Sequence, residues 1–149
     1  MWKLEPDERI SRWREFRKSL DLLPLGQALD EVAIFWQSCP HHPFYLDTTT
    51  TDTWPNPWEL IAENYYCDLA KALGMLYTIY FTKHREGLDA EIRVYYDPVT
   101  QFTYNIAVLS QGKYMLNFLD GAVVNTLSIN KNLELKQSYS SKDLKLQEY

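Results

Sequence analysis

Residues 56–81 read NPWELIAENYYCDLAKALGMLYTIYF, and the fold turns on how this stretch is parsed. Asn56 can cap a helix, Pro57 suits a first turn, and Glu59 stands three residues after Asn56 as in a capping box. A helix is therefore expected from Pro57, with a break near Asn64-Tyr65 and a restart into Cys67–Phe81. In the second part Leu69, Ala72, Leu73, Leu76, Ile79 and Tyr80 recur at helical spacing and predict the buried face. The apolar run is interrupted by Lys71 and falls short of the roughly 20 residues a bilayer span needs, so no membrane segment is expected.

Downstream of KHREGLD (83–89) the hydrophobic period changes from helical to two. Ile92, Val94 and Tyr96 alternate with Arg93 and Tyr95, and DPVTQ makes a turn. Phe102, Tyr104, Ile106 and Val108 predict the next strand, and SQGK turns the chain again. Tyr114, Leu116 and Phe118 lead to LDG, followed by AVVNTLSI, NKN and LELKQSY. Short alternating runs joined by tight turns read as an antiparallel meander of four to five strands.

Upstream, residues 6–20 predict a helix, with Pro6 in its first turn and Asp7 and Glu8 at the positive end of its dipole. GQALDEVAIFWQS (26–38) predicts another, with Ala28, Leu29, Val32, Phe35 and Trp36 on one side. Between this helix and Pro57 lies CPHHPFYLDTTTTDTWPN, whose prolines deny either regular structure its donors. The expectation is one α+β domain over 1–149, with N-terminal helices followed by the meander packed on the helix after Cys67. Its parts are a helical segment (1–38), a Pro/Thr-rich loop (39–56), the core helix (57–83), the sheet (90–139) and a polar tail (140–149), frayed or used as an arm.

Charge and composition narrow the function. The net charge of −5 argues against general nucleic-acid binding, which draws on clustered Lys and Arg. Residues 1–20 nevertheless carry net +2, leaving −7 for the rest, so this segment, with Arg14 and Arg17, could dock an acidic partner or another copy. Two cysteines make no disulfide framework, and no signal-peptide pattern is seen. A soluble protein made in the cytoplasm is expected. Five glycines leave no room for a phosphate-binding loop. In CPHHP, Cys39, His41 and His42, with Asp47 beyond, lack a second paired element, so neither metal nor cofactor is expected. The aromatic surplus at Tyr45, Trp54, Tyr65, Tyr66 and Tyr95 suits either protein contacts or cover for the sheet's second face.

Cys67 admits two readings. At a helix start its thiolate would be favoured by the dipole and could act as a nucleophile; alternatively it is a small residue of the core. The order of elements resembles the transglutaminase-like branch of the papain-type cysteine enzymes. These carry a Cys at the start of a core helix, a His near the start of a later strand and an Asp at the end of the next. Over residues 57–121 the matching positions are Cys67 in YYCDLAKALG, Tyr104 or Asn105 in FTYNIAVL, and Asp120 in YMLNFLDG. No His follows His84, and the position of the family's base holds Tyr104-Asn105. Asn takes no proton at neutral pH, so the resemblance implies a catalytically dead core.

TDTWPNPWELI together with YYCDLAKALGMLYTIYF also resembles small proteins of tailed bacteriophages, which implies a virion or assembly component. The first expectation is thus a non-enzymatic protein-binding or structural module whose partners are other phage virion proteins or itself. Its contact surfaces would be the loop from Phe44 to Trp58 (with Tyr45, Trp54 and Trp58), the basic first helix, and the last strand with its arm. The alternatives are a cysteine hydrolase or transferase using Cys67 and Asp120 with a substituted base, and a phage protein that modulates a host protein.

Overall fold

The computed structural model describes residues 1–43 and 45–149. Four helices precede a five-stranded antiparallel sheet, so the domain is α+β: α1 (Pro6–Leu20), α2 (Leu25–Gln37), α3 (Pro57–Glu63), α4 (Asp68–Tyr80), then β1 (Ala90–Asp97), β2 (Phe102–Leu109), β3 (Tyr114–Leu116), β4 (Val123–Val124) and β5 (Glu134–Tyr139). Phe44, the first residue of the expected contact loop, lies outside the described residues.

The stretch that decides the fold is built from two caps. Asn56 Oδ1 accepts from the Glu59 N–H at 2.8 Å and starts α3, a cap worth about 1 kcal/mol. Asn64 ends that helix in the left-handed region (φ 61°), which Asn tolerates better than most residues. Cys67 then caps α4, its Sγ accepting from the Ala70 N–H at 3.4 Å.

α4 is buried nearly all round. Besides the expected face, Ala70, Gly74, Met75, Tyr77 and Thr78 are also inside, because α4 packs against α2, β2, α3 and α1. Gly74 allows the closest approach: a Cβ there would sit 2.6 Å from Cζ3 of Trp36, itself fully buried. Near the C-terminal end of α4 the indole N–H groups of Trp13 (2.9 Å) and Trp36 (3.0 Å) both donate to Thr78 Oγ1, whose own hydroxyl donates to the Gly74 carbonyl at 2.6 Å. Two large polar-tipped residues are thereby satisfied within the core.

β1 to β4 form the expected meander, but β5 crosses back to pair with β1, giving the order β4-β3-β2-β1-β5. The register shifts between Val94 and Tyr95 where β5 joins. AVVNTLSI forms only the two-residue β4, since Thr126 turns away to donate to the Gly112 carbonyl at 2.8 Å. The sheet's second face is covered from within: Tyr95, Ile106, Val108 and Met115 pack with Tyr104, Phe118, Val124, Ile129 and Leu133. Tyr66, counted above among aromatics surplus to the core, is 1% exposed within it.

The tail departs from the frayed-or-arm expectation. Leu144 and Leu146 are buried, and Tyr149 packs edge-on against Trp58 (6.1 Å) and Tyr77 (6.2 Å). Its alternating leucines supply the apolar surface that its polar composition obscured.

Candidate functional site

The three positions singled out by family resemblance converge on the first turn of α4, yet they are linked through residues other than one another. Cys67 turns its sulfur into its own helix and is only 6% exposed, packed in the main core. Asn105, from the middle of β2, donates through Nδ2 to Asp68 Oδ2 at 3.0 Å, and its backbone N–H reaches the same oxygen at 3.3 Å. Asp120 accepts from Lys71 Nζ at 2.7 Å, one turn further along α4, and shares no hydrogen bond with Asn105 among the described residues.

Asp68 is therefore the group that Asn105 meets. It occupies the first position of α4, where a carboxylate is favoured by the positive end of the dipole. Asn117, just past β3 and in the left-handed region (φ 72°), closes the network. Its Nδ2 reaches Asp68 Oδ1 (3.1 Å), the Asp68 carbonyl (3.1 Å) and the Asn105 carbonyl (2.9 Å). Asn105 Oδ1 is buried and has no partner among the described residues. Asp68, Lys71 and Asn117 were not anticipated as site residues. Asp68 carried one signal, an acid directly after the helix cap; Asn117 carried none, because its role depends on the chain bending after Leu116.

Next to this network lies an open cleft of about 320 Å³, with Asp68, Asn117 and Asp120 as its polar wall and Tyr104 and Phe118 as its apolar one. Tyr104 stands between Phe102 (4.6 Å) and Phe118 (5.0 Å), making a row of three rings.

The three histidines lie elsewhere. His84 Nε2 is 3.1 Å from the Leu20 carbonyl, beyond the far end of α4. The Pro/Thr-rich loop folds back so that His41 bridges Tyr66, next to Cys67, but the His42 ring turns to Tyr65 (5.0 Å) and Tyr45 (6.2 Å). No histidine hydrogen-bonds to Cys67 among the described residues. Nor do the described residues bring together three or more His, Cys, Asp or Glu able to hold a metal, Cys39, His41, His42 and Asp47 included. Burial pushes the Cys39 thiol from 9.0 up to about 11; Lys71 opposes the rise, while Asp120 and Asp68 reinforce it.

The expected contact residues are mostly engaged within the chain. Trp54 donates to the Asp47 carbonyl at 2.7 Å and packs on Tyr139, and Tyr45 packs on Tyr65. Trp58 and Arg17 meet around Phe81, with the Arg17 guanidinium 4.1 Å over the Trp13 ring. Arg14 is free of such contacts among the described residues and exposed.

No protein-family model matches the sequence, and no curated protein matches it. Among solved structures the chain is similar to LapG of Legionella pneumophila. It is 15% identical, with a TM-score of 0.69 over 91% of this chain and 75% of LapG. Against calcium-bound LapG the identity is 15% and the TM-score 0.70, over 92% of this chain and 77% of LapG. At this identity the likeness shows the fold alone: the chain is folded like LapG, in keeping with the resemblance expected for its core. No helix is long and apolar enough to cross a membrane.

Proposed function

We propose that this chain is a non-enzymatic protein-binding or structural module built on a transglutaminase-like core. One observation carries this reading. Where a cysteine enzyme of this fold needs an imidazole facing a thiol, the chain has the Asn105 amide facing the Asp68 carboxylate, while the Cys67 sulfur is spent on its own helix. An amide neither accepts a proton from a thiol at neutral pH nor returns one to a leaving group, so the general acid–base role has no holder. The resemblance to tailed-phage proteins makes sibling virion or assembly proteins, and a second copy of the chain, the first partners to try.

The test is alkylation of Cys67 in the native protein across pH, read by mass spectrometry of the peptide that contains it. The expected result is negligible labelling at pH 6 to 8 and rapid labelling after unfolding in urea. Fast native labelling at pH 6, well below the ordinary thiol range, would reveal a stabilised thiolate and restore the enzyme.

A further inference from the structure

The cleft beside Asp68 has an unbalanced set of polar groups, and the imbalance identifies a ligand chemistry. Both Nδ2 hydrogens of Asn117 are committed inward, to three oxygens of Asp68 and Asn105. The reverse amide orientation would set oxygen against oxygen, so Oδ1 is the atom of Asn117 with capacity to spare. Asp68 Oδ2 accepts twice from Asn105, whereas Oδ1 accepts only once, from Asn117, and the residue is only half-buried. Asp120, 59% exposed, is engaged by Lys71 through a single oxygen. Two carboxylates against one ammonium leave the cleft at −1, within a chain of net charge −5. The positive end of the α4 dipole, which would oppose a cation, already carries the Asp68 carboxylate.

The same cleft is lined by the ring row of Phe102, Tyr104 and Phe118, and Phe102 is 53% exposed. Spare acceptors sharing one cleft with a row of tilted rings suit a flat cation that donates along its edge and stacks through its face. A guanidinium does both, is weakly hydrated, and matches a carboxylate two-pronged, whereas an ammonium is a compact, strongly hydrated point charge. We infer that this cleft receives an arginine side chain presented by a protein partner. The inference rests on the reading of the chain as a binding module and names what that module grips.

The experiment is an NMR titration of the full-length chain, ¹⁵N-labelled, with Nα-acetyl-arginine amide at low salt. The citrulline and lysine counterparts serve as comparators. Saturable shifts are expected at Asn117, Phe118 and Lys71, with arginine bound about tenfold more tightly than citrulline, its neutral isostere, and lysine in between. Asp120→Asn, at an exposed position outside the buried network, should weaken arginine about fivefold, and Phe118→Leu should remove its advantage over lysine. Equal shifts with arginine and citrulline, non-saturating shifts, or full affinity in Asp120→Asn would each overturn the inference. Cys67 alkylation is read independently, so loss of the arginine site would leave the non-enzymatic reading standing.

Discussion

The two ends of α4 are held by polar side chains in opposite ways. Near the C-terminal end, Thr78 takes two indole N–H donors and passes its own proton to Gly74, with Thr78, Trp13 and Trp36 all fully buried. Every one of those groups is neutral and paired. At the N-terminal end, Asp68 gathers two amides beside an open cleft, one amide oxygen is left unpaired, and an ion pair sits a turn away. A buried polar knot that is complete stabilises a unique core. One that is charged, half-exposed and incomplete is not closed in this way, and it borders solvent at the cleft.

This contrast sets an order of expected effects. Thr78→Val keeps shape and removes the shared acceptor, leaving two buried indole donors unpaired, at a cost of about 2–4 kcal/mol. Asp68→Ala takes away the carboxylate from Asn105 and Asn117, but Asn117 keeps two backbone carbonyls and water reaches the cleft, so about 1–2 kcal/mol is expected. Urea unfolding of the two variants beside the parent chain decides the matter. A larger loss in Asp68→Ala than in Thr78→Val would mean that the N-terminal network, not the indole knot, organises the core.

The C-terminal end was the more legible in sequence. Trp36 and the apolar residues along α4 announce themselves by helical spacing, and Asn56 and Pro57 announce the start of α3; such signals act within a few residues. The alternation after Ile92 likewise disclosed the strands, while the return of β5 to β1 did not show, because strand order follows from long-range packing rather than local pattern. The candidate site was half visible. Cys67, Asn105 and Asp120 do surround the first turn of α4, but their hydrogen-bond partners are Ala70, Asp68 and Lys71. Which of two adjacent residues, Cys67 or Asp68, faces β2 depends on where the helix cap falls, and a shift of one residue turns the side chain through about 100°. Most of the residues expected at contact surfaces also have partners inside the chain. Trp54, Tyr45 and Arg17 are aromatic and cationic enough to bind a partner, and the chain uses all three on itself.

The smallest effect concerns Cys39, whose thiol lies near enough to Asp68, Asp120 and Lys71 to feel their charges, though burial dominates its shift to about 11. A thiol held protonated in the native state but released near 9.0 in the unfolded chain adds stability that is complete below about pH 9 and lost as the pH rises towards 11. Because the thiol is only partly buried, the expected loss is on the order of 1 kcal/mol. Tyr66 and Tyr77 are also raised by burial and act in the same direction at still higher pH, so the parent curve alone does not isolate Cys39. Comparing urea midpoints at pH 8 and pH 10.5 for the parent and Cys39→Ala does. The variant should lose less stability over that interval; an unchanged slope would place Cys39 in a wetter setting and detach it from the N-terminal network of α4. The C-terminal knot, made of groups that do not titrate in this range, should contribute nothing to either slope, and that is the sharpest distinction between the two ends.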